Sequence, residues 1–170
     1  MAQTSYSEDL AVAYEGMLAD LNNNNDVVTA HSEEASSFPY GTAVVKGTAD
    51  DQMLLPTGAA LLLGITAHSH ANEVGSDDLN LVDPAKAANV LHAGRIYVKL
   101  ESSSGAVSKG DALFVRIANP AASPADEGLG RFRNDADAGD ALAATGVRAF
   151  TSGTGGDVIV AEIVTGASIA

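Results

Sequence analysis

The chain has 170 residues, no cysteine and a formal net charge of −13, from 22 acidic and nine basic residues. Its length suits one domain with a hydrophobic core, and the lack of cysteine excludes disulfides, thiolate zinc sites and cysteine nucleophiles. The acidic balance argues against a nucleic-acid-binding surface, and no apolar run reaches the roughly 20 residues of a membrane span, so we expect a soluble, unexported protein.

The first 26 residues differ from those that follow. Their apolar side chains have the spacing of an amphipathic helix, although Gly16 weakens such a helix by about 1 kcal/mol relative to alanine. The Asn-rich run at 22–26 is typical of a turn or hinge. We therefore predict an N-terminal arm over residues 1–26, helical or extended, that becomes ordered against another surface, and a body over residues 27–170.

The negative charge is concentrated at the front of the chain. Residues 1–51 contain nine acids and one base, whereas residues 52–170 contain 13 acids and eight bases. The simpler interpretation is a solvated acidic face. The alternative is that this acidic part complements a basic patch on a partner.

After the hinge, short β-prone runs recur between clusters of Gly, Pro, Ser, Asn and Asp. This spacing predicts an all-β protein, a compact antiparallel β-barrel or β-sandwich of the β-tulip or jelly-roll kind, with an extended N-terminal arm. The longer polar segments are expected to be loops. The predicted strands are 27–31, 41–45, 52–55, 60–68, 88–92, 95–100, 112–117, 142–150 and 157–164, and the predicted loops are 71–88 and 119–140.

The stretch 94–116 has the clearest strand pattern. Ile96, Val98 and Leu100 alternate with Arg95, Tyr97 and Lys99, so the first three side chains should share a buried face. The Lys-Gly-Asp sequence at 109–111 predicts a turn in which the glycine supplies the backbone conformation and the aspartate bonds back to the backbone. Similar turns occur in swinging-arm carrier domains, but the modified-lysine tripeptide of those domains does not occur here.

Candidate chemistry is sparse. His68 and His70 form an H-x-H pair followed by acidic residues at 73, 77 and 78, which are residue types that can bind a metal. Without a second ligand cluster, solvent-facing side chains are the favoured interpretation. The serines lie in no G-x-S-x-G elbow and the glycines at 153–156 lack the Lys-Ser/Thr of a phosphate loop. We predict no catalytic residue, no metal and no cofactor.

Four blocks, taken in order, resemble the structural cement proteins of tailed bacteriophages, which decorate the phage head. They are AQTSYSEDLAVAYEGMLADL, FPYGTAVVKGTADDQMLLP, HAGRIYVKLESSSGAVSKGDALFVR and the closing ATGVRAF…GGDVIVAEI. The resemblance implies a small β-domain on the outside of the icosahedral head that bridges major capsid protein subunits and reinforces the expanded shell. It implies a symmetric homo-oligomer, a homotrimer being favoured over a homodimer, that is made in the host cytoplasm and needs no cofactor, nucleic acid or membrane.

On this hypothesis the arm supplies the capsid contacts, because buried aromatic and aliphatic side chains provide most interface energy. The candidate anchors are Tyr6, Leu10, Tyr14, Met17 and Leu18. Unpaired strand edges offer a second mode of binding, in which a strand of the capsid protein or of a sister subunit is added.

Two other functions remain open. The first is a carbohydrate- or ligand-binding β-module of a virion, lectin-like or part of a fibre, which would need exposed aromatic rings for sugar stacking. Its candidates are Tyr40, Tyr97, Phe132 and Phe150. The second is an enzyme centred on residues 68–78, which metal analysis of the purified protein would test.

Overall fold

The computed structural model describes residues 13–19, 25–68, 81–119 and 127–170. These residues form eleven β-strands, and no α-helix occurs among them. Within the same ranges, no helix has the length and apolar character required to cross a membrane. The predicted all-β, barrel-like fold class is confirmed.

Within the described residues, one short 3-10 turn, Asp137–Gly139, lies between the strands. They are β1 (Asp26–Ser32), β2 (Phe38–Pro39), β3 (Ala43–Lys46), β4 (Gln52–Leu54), β5 (Ala60–Ala67), β6 (Leu81–Val82), β7 (Ala87–Lys99), β8 (Ala112–Arg116), β9 (Phe132–Arg133), β10 (Ala141–Ala149) and β11 (Val158–Ile169). Nine of them form one sheet in the order β1-β4-β3-β5-β7-β11-β10-β8-β9, and β2 pairs with β6.

The large sheet closes on itself twice, and β7 belongs to both closures. Its first half pairs with β1 and β5, which closes the ring β1-β4-β3-β5-β7, the first barrel. Its second half pairs with β11, and Leu100 just beyond it bridges to Phe132 of β9, which closes the ring β7-β11-β10-β8-β9, the second barrel. The β1–β4 pair and the Leu100–Phe132 bridge are parallel, unlike the other strand pairs described.

β7 is continuous where the sequence predicted two strands, at 88–92 and 95–100. A bulge joins the two halves: Gly94 has φ of 134°, and the register with β1 shifts between Asp26 and Val27. The extra residue changes which side chains face inward, so that both Leu91 and Ile96 are buried in the same core. The φ of 134° favours glycine at the bulge, because side chains with a Cβ rarely adopt it.

The apolar side chains form two cores. The larger core contains the predicted inward face of β7, and Ile96, Val98 and Leu100 are all fully buried within it, as expected from their alternation. β8 adds Leu113 and Val115 to the same core. The smaller core belongs to the first barrel, and the β2–β6 pair contributes to it. Its members are Ala30, Phe38, Tyr40, Val44, Met53, Val82, Ala88 and Val90.

The turn predicted at 109–111 forms as expected. Gly110 has φ of 95°, and the backbone N–H of Ser108 donates to Oδ2 of Asp111 over 2.8 Å. The short strands β2, β6 and β9 were not predicted, and the last two lie in segments expected to be loops. Strands of two residues are too short to show alternation, which explains why the pattern missed them.

Candidate interaction surface

Residues 13–19, which we call the strap, lie along the second half of β7 and contain a turn, in which the N–H of Met17 donates to the carbonyl of Tyr14 over 3.2 Å. The N–H of Gly16 donates to the carbonyl of Tyr97 over 2.8 Å, and the N–H of Tyr97 donates to the carbonyl of Met17 over 2.9 Å. Ala19 donates to the carbonyl of Arg95 over 3.0 Å. The helix considered for the arm is therefore not formed over the strap, because its backbone groups bond to β7 instead.

Gly16 makes this path possible. Its φ of 83° lies in the left-handed region that favours glycine, and its carbonyl accepts a hydrogen bond from the N–H of His68 over 2.7 Å. A Cβ at this position would lie 2.4 Å from Cβ of Tyr40. The residue that weakened the predicted helix is thus the one that the strap needs.

A buried ion pair holds the strap on its other side. The guanidinium of Arg131, just before β9, pairs with the carboxylate of Glu15, and their side chains are only 5% and 17% exposed. The strap consequently contacts β7 through its backbone and the segment before β9 through Glu15. Between β7 and β9 the described strand pairing is the single bridge from Leu100 to Phe132. The strap lies at this place and completes the second barrel.

The candidate anchors have different surroundings in the structure. Tyr14 and Met17 are each 36% exposed, although the strap backbone is fixed. Leu18 bridges to Ile96 and packs against the larger core, so it holds the strap on its own body. Tyr6 and Leu10 lie outside the described residues. A role of these five residues in capsid contact stays a prediction.

The candidate metal ligands are only partly described. His68 packs edge-on against the rings of Tyr14 and Tyr40, with both pairs of centroids 5.1 Å apart. His70 and the acids at 73, 77 and 78 lie outside the described residues. In the part of the chain that the structure describes, no three His, Cys, Asp or Glu side chains come together as a metal site would require.

A buried ionic cluster, not foreseen from the sequence, lies where the chain leaves β7. Glu101 is fully buried, and its Oε2 accepts from Nη2 of Arg116 over 2.7 Å and from Nη1 of Arg133 over 2.8 Å. Oδ2 of Asp137 accepts from the same two guanidiniums, each over 2.7 Å. Since every buried polar side-chain atom among the described residues has a partner, we interpret the cluster as a structural element of the second barrel.

The cluster shifts the protonation equilibria of its members. Hydrogen bonds to Glu101 raise the pKa of Arg116 above its ordinary value, against the opposing effect of burial. The hydrogen bond from Arg116 lowers the pKa of the Asp137 carboxyl, and the charge of Arg133 adds to this. No local signal in the sequence pointed to the cluster, because Arg131, Phe132 and Arg133 lie in a segment predicted to be a loop, whereas all three side chains are buried.

The outer side of the second barrel has a group of basic side chains around one aromatic ring. The guanidinium carbon of Arg95 lies 3.8 Å from the centre of the Phe150 ring, and Nζ of Lys109 lies 4.5 Å from it. Arg148 is 62% exposed and pairs with Glu162, which also pairs with Arg95. The hydrogen bond from Arg148, with a further one from Arg95, lowers the pKa of the Glu162 carboxyl.

Apolar side chains continue this outer side. In the register of β7 and β11, Lys99 is opposite Val158, and Tyr97 is opposite Val160. Val158 is 38% exposed, and Tyr97 and Phe150 are half-buried. We call this surface the cationic face. It consists of Arg95, Tyr97, Lys99, Lys109, Arg148, Phe150, Val158, Val160 and Glu162.

The aromatic set considered for sugar stacking is divided by the fold. Tyr40 and Phe132 are 2% and 0% exposed, so neither ring can stack on a sugar at the surface. Tyr97 and Phe150 remain half-buried on the cationic face. The interpretation as a carbohydrate-binding module thereby loses half of its candidate side chains.

The two fused barrels define an all-β domain of a kind also present in a phage capsid. The fold matches a chain in a solved structure described as "The capsid of Myoviridae Phage XM1" with a TM-score of 0.69, over 95% of this chain and 96% of that chain. The two sequences are 14% identical, so this likeness concerns the fold alone. A comparison with curated proteins finds no match.

The family is given by a second comparison. The family model described as "Structural cement protein (E217 gp24/Pam3 gp6)" matches residues 2–164. The chain therefore belongs to the phage structural cement protein family, and the resemblance inferred from the four sequence blocks is confirmed.

Proposed function

We propose that this protein binds the outer surface of the icosahedral phage head, bridges neighbouring major capsid protein subunits and stabilises the expanded shell. The observation that most directly supports this proposal is the family match, which extends over residues 2–164 and so includes both the arm and the barrels. The protein is active as a homo-oligomer, a homotrimer rather than a homodimer, and is made in the host cytoplasm. On this proposal it is not an enzyme and uses no cofactor.

The strap provides a physical reason for placing capsid contacts at the front of the chain. Tyr14 and Met17 are partly exposed on a backbone that β7 and Arg131 already hold in place. Side chains on a fixed backbone lose less conformational entropy on binding than those on a free segment. Tyr6 and Leu10 precede the strap in sequence and would extend the contact along the capsid surface.

A binding assay with expanded heads tests the proposal. Purified heads that lack the protein are mixed with the wild type, with Tyr14→Ala/Met17→Ala, or with Leu61→Ala, and bound protein is quantified after sedimentation of the heads. Leu61 is 66% exposed and lies in the first barrel, so its substitution is a matched loss of exposed apolar surface away from the strap. We expect saturable wild-type binding with an icosahedral stoichiometry, at least about tenfold weaker binding of the strap variant, and unchanged binding of Leu61→Ala.

A shortened chain tests the residues before the strap. Deletion of residues 1–12 removes Tyr6 and Leu10 and leaves every described strap contact in place. We expect weaker binding to heads without loss of thermal stability. If the shortened protein decorates heads as well as the intact one, the assignment of Tyr6 and Leu10 is wrong, and wild-type protein that fails to bind heads at all would refute the proposed function.

A further inference from the structure

The exposed basic side chains of this protein are concentrated on one face of the second barrel. The cationic face has four basic side chains, Arg95, Lys99, Lys109 and Arg148, and one acid, Glu162, within it. At its rim, Asp111 and Asp157 are bonded to amides of their own turns. Because the whole chain has only nine bases against 22 acids, this face holds almost half of all its positive charge.

The remaining basic side chains do not form a second patch of this kind. Arg116, Arg131 and Arg133 are buried in ion pairs with carboxylates. Lys46 and Lys86 lie near the opposite end of the molecule, and Lys46 pairs with Asp50 over 2.5 Å. The cationic face is therefore the main accessible basic surface of the described residues.

An acidic end lies on the first barrel, at the tip formed by the end of β1, the β3–β4 hairpin and the turn before β7. Its acids are Glu33, Glu34, Asp50, Asp51 and Asp83, which outnumber Lys46 and Lys86 there. The side chain of Asp50 is 98% exposed. The tip is held together by backbone bonds from His31 to Asp51 and from Ser32 to Lys86.

The two charged surfaces are too far apart to neutralise each other within one molecule. His31 of β1 is opposite Ala87 at the start of β7, whereas the cationic face begins at Arg95 of the same strand. The eight residues from Ala87 to Arg95, at about 3.3 Å each, correspond to about 26 Å of strand between the two surfaces. This distance exceeds the Debye length of about 10 Å at 0.1 M salt.

We propose that the cationic face of one copy binds the acidic end of a second copy. The cationic face complements the acidic end in charge, and Tyr97, Phe150 and Val158 supply the apolar part of the contact. Because the two surfaces are different, the contact is head-to-tail, and it closes a ring when the rotation between copies allows. This inference names the surfaces of self-association and does not require that the protein binds capsids.

Two charge-reversed variants test this pairing on the purified full chain. The face-reversed variant is Lys109→Glu/Arg148→Glu, and the end-reversed variant is Asp50→Lys/Asp51→Lys. Sedimentation velocity measures self-association at about 0.1 M and about 1 M salt, where the Debye length falls from about 10 Å to about 3 Å. We expect the wild type to associate at the lower salt and each variant alone to associate at least about tenfold more weakly, because like charges then face each other.

Mixing the two variants gives the decisive result. The face-reversed copy then has two acidic surfaces and the end-reversed copy two basic ones, so an equimolar mixture should associate again although neither variant does so alone. Lys46→Glu/Lys86→Glu is the matched control for net charge, because it changes the net charge as much as the face-reversed variant. It leaves the cationic face intact and makes the acidic end more acidic, so it should associate at least as strongly as the wild type.

Several outcomes would overturn the inference. A wild type that sediments as a monomer at both salt concentrations excludes the pairing. So does a mixture of the two variants that stays dissociated, or a control that dissociates as much as the face-reversed variant, which would indicate repulsion by net charge alone. Circular dichroism melts of each variant ensure that lost association does not reflect unfolding. Failure here would leave the capsid-binding assay of the proposed function unaffected, since that assay has its own readout.

Discussion

Replacement of Glu101 by glutamine tests whether burial makes the ionic cluster important for stability. The carboxylate is fully buried between Arg116 and Arg133, and Asp137 is the other acid that contacts both guanidiniums. Glu101→Gln keeps the size of the side chain but removes the buried carboxylate, so that the two guanidiniums share only Asp137, and Asp135 remains paired with Arg133. Breaking a buried ion pair on one side costs about 3–5 kcal/mol.

That loss is large for a domain of this size. Folded domains are stable by about 5–15 kcal/mol, so the variant should lose about a fifth or more of its stability or fail to fold. A melting temperature lower by about 6–20 °C is expected from about 2–4 °C per kcal/mol. Urea unfolding followed by circular dichroism gives the free energy of unfolding directly.

Glu162 provides the matched control on the same chain. It also accepts hydrogen bonds from two arginines, Arg95 and Arg148, but Arg148 is 62% exposed and the pair lies at the surface. Glu162→Gln should therefore cost about 1 kcal/mol or less. The reasoning is refuted if Glu162→Gln destabilises the protein as much as Glu101→Gln, or if Glu101→Gln costs less than about 1 kcal/mol.

Two further predictions concern the strap and the acid range. Gly16→Ala should detach the strap and speed hydrogen exchange at the amide of Tyr97, because the new Cβ would lie 2.4 Å from Cβ of Tyr40. Gly110→Ala is the control, because Gly110 also has a positive φ, of 95°, but no atom lies within 4 Å of the new Cβ. This control should cost only about 1–2 kcal/mol of backbone strain and leave the Tyr97 amide protected. Equal exchange in both variants would contradict the role given to Gly16. For Asp137, a lowered pKa in the folded state means that its contribution to stability is present above the unfolded value of about 3.9 and is lost as the pH falls below it. Asp137→Asn, which suits the positive φ of 41° at this position, should flatten the fall of the unfolding free energy below about pH 4, and unchanged slopes would show that this carboxyl is not responsible.

Local patterns predicted the parts of the fold that depend on near neighbours in sequence. The alternation from Ile96 to Leu100 and the turn at Gly110 are both formed, because side-chain period and turn chemistry act over a few residues. The turn at Gly110 could be predicted without knowing which distant residues it contacts. The same local signals explain why the all-β class could be predicted before the topology was known.

The sequence failed where partners are far apart in the chain. Glu15 and Arg131 are separated by 116 residues, and no local signal relates a carboxylate in an apparent helix to an arginine beside a two-residue strand. Glu101 and Arg133 are 32 residues apart and look like exposed side chains in their own segments. Topology brings these charges together, so the strap and the ionic cluster became visible only in the folded structure.

The strap couples binding to stability more closely than a division into arm and body suggests. Residues 13–19 bond to β7 and supply the carboxylate for Arg131, so removal of residues 1–26 would take away the ion-pair partner of Arg131 together with the backbone bonds of the strap to β7. It would also uncover the N–H of Tyr97. Loss of capsid binding after such a deletion would therefore not separate a lost contact from a damaged barrel. Deletion of residues 1–12 does separate them, because the strap stays in place, and the strap side chains are then tested by Tyr14→Ala/Met17→Ala, which leaves its backbone bonds intact.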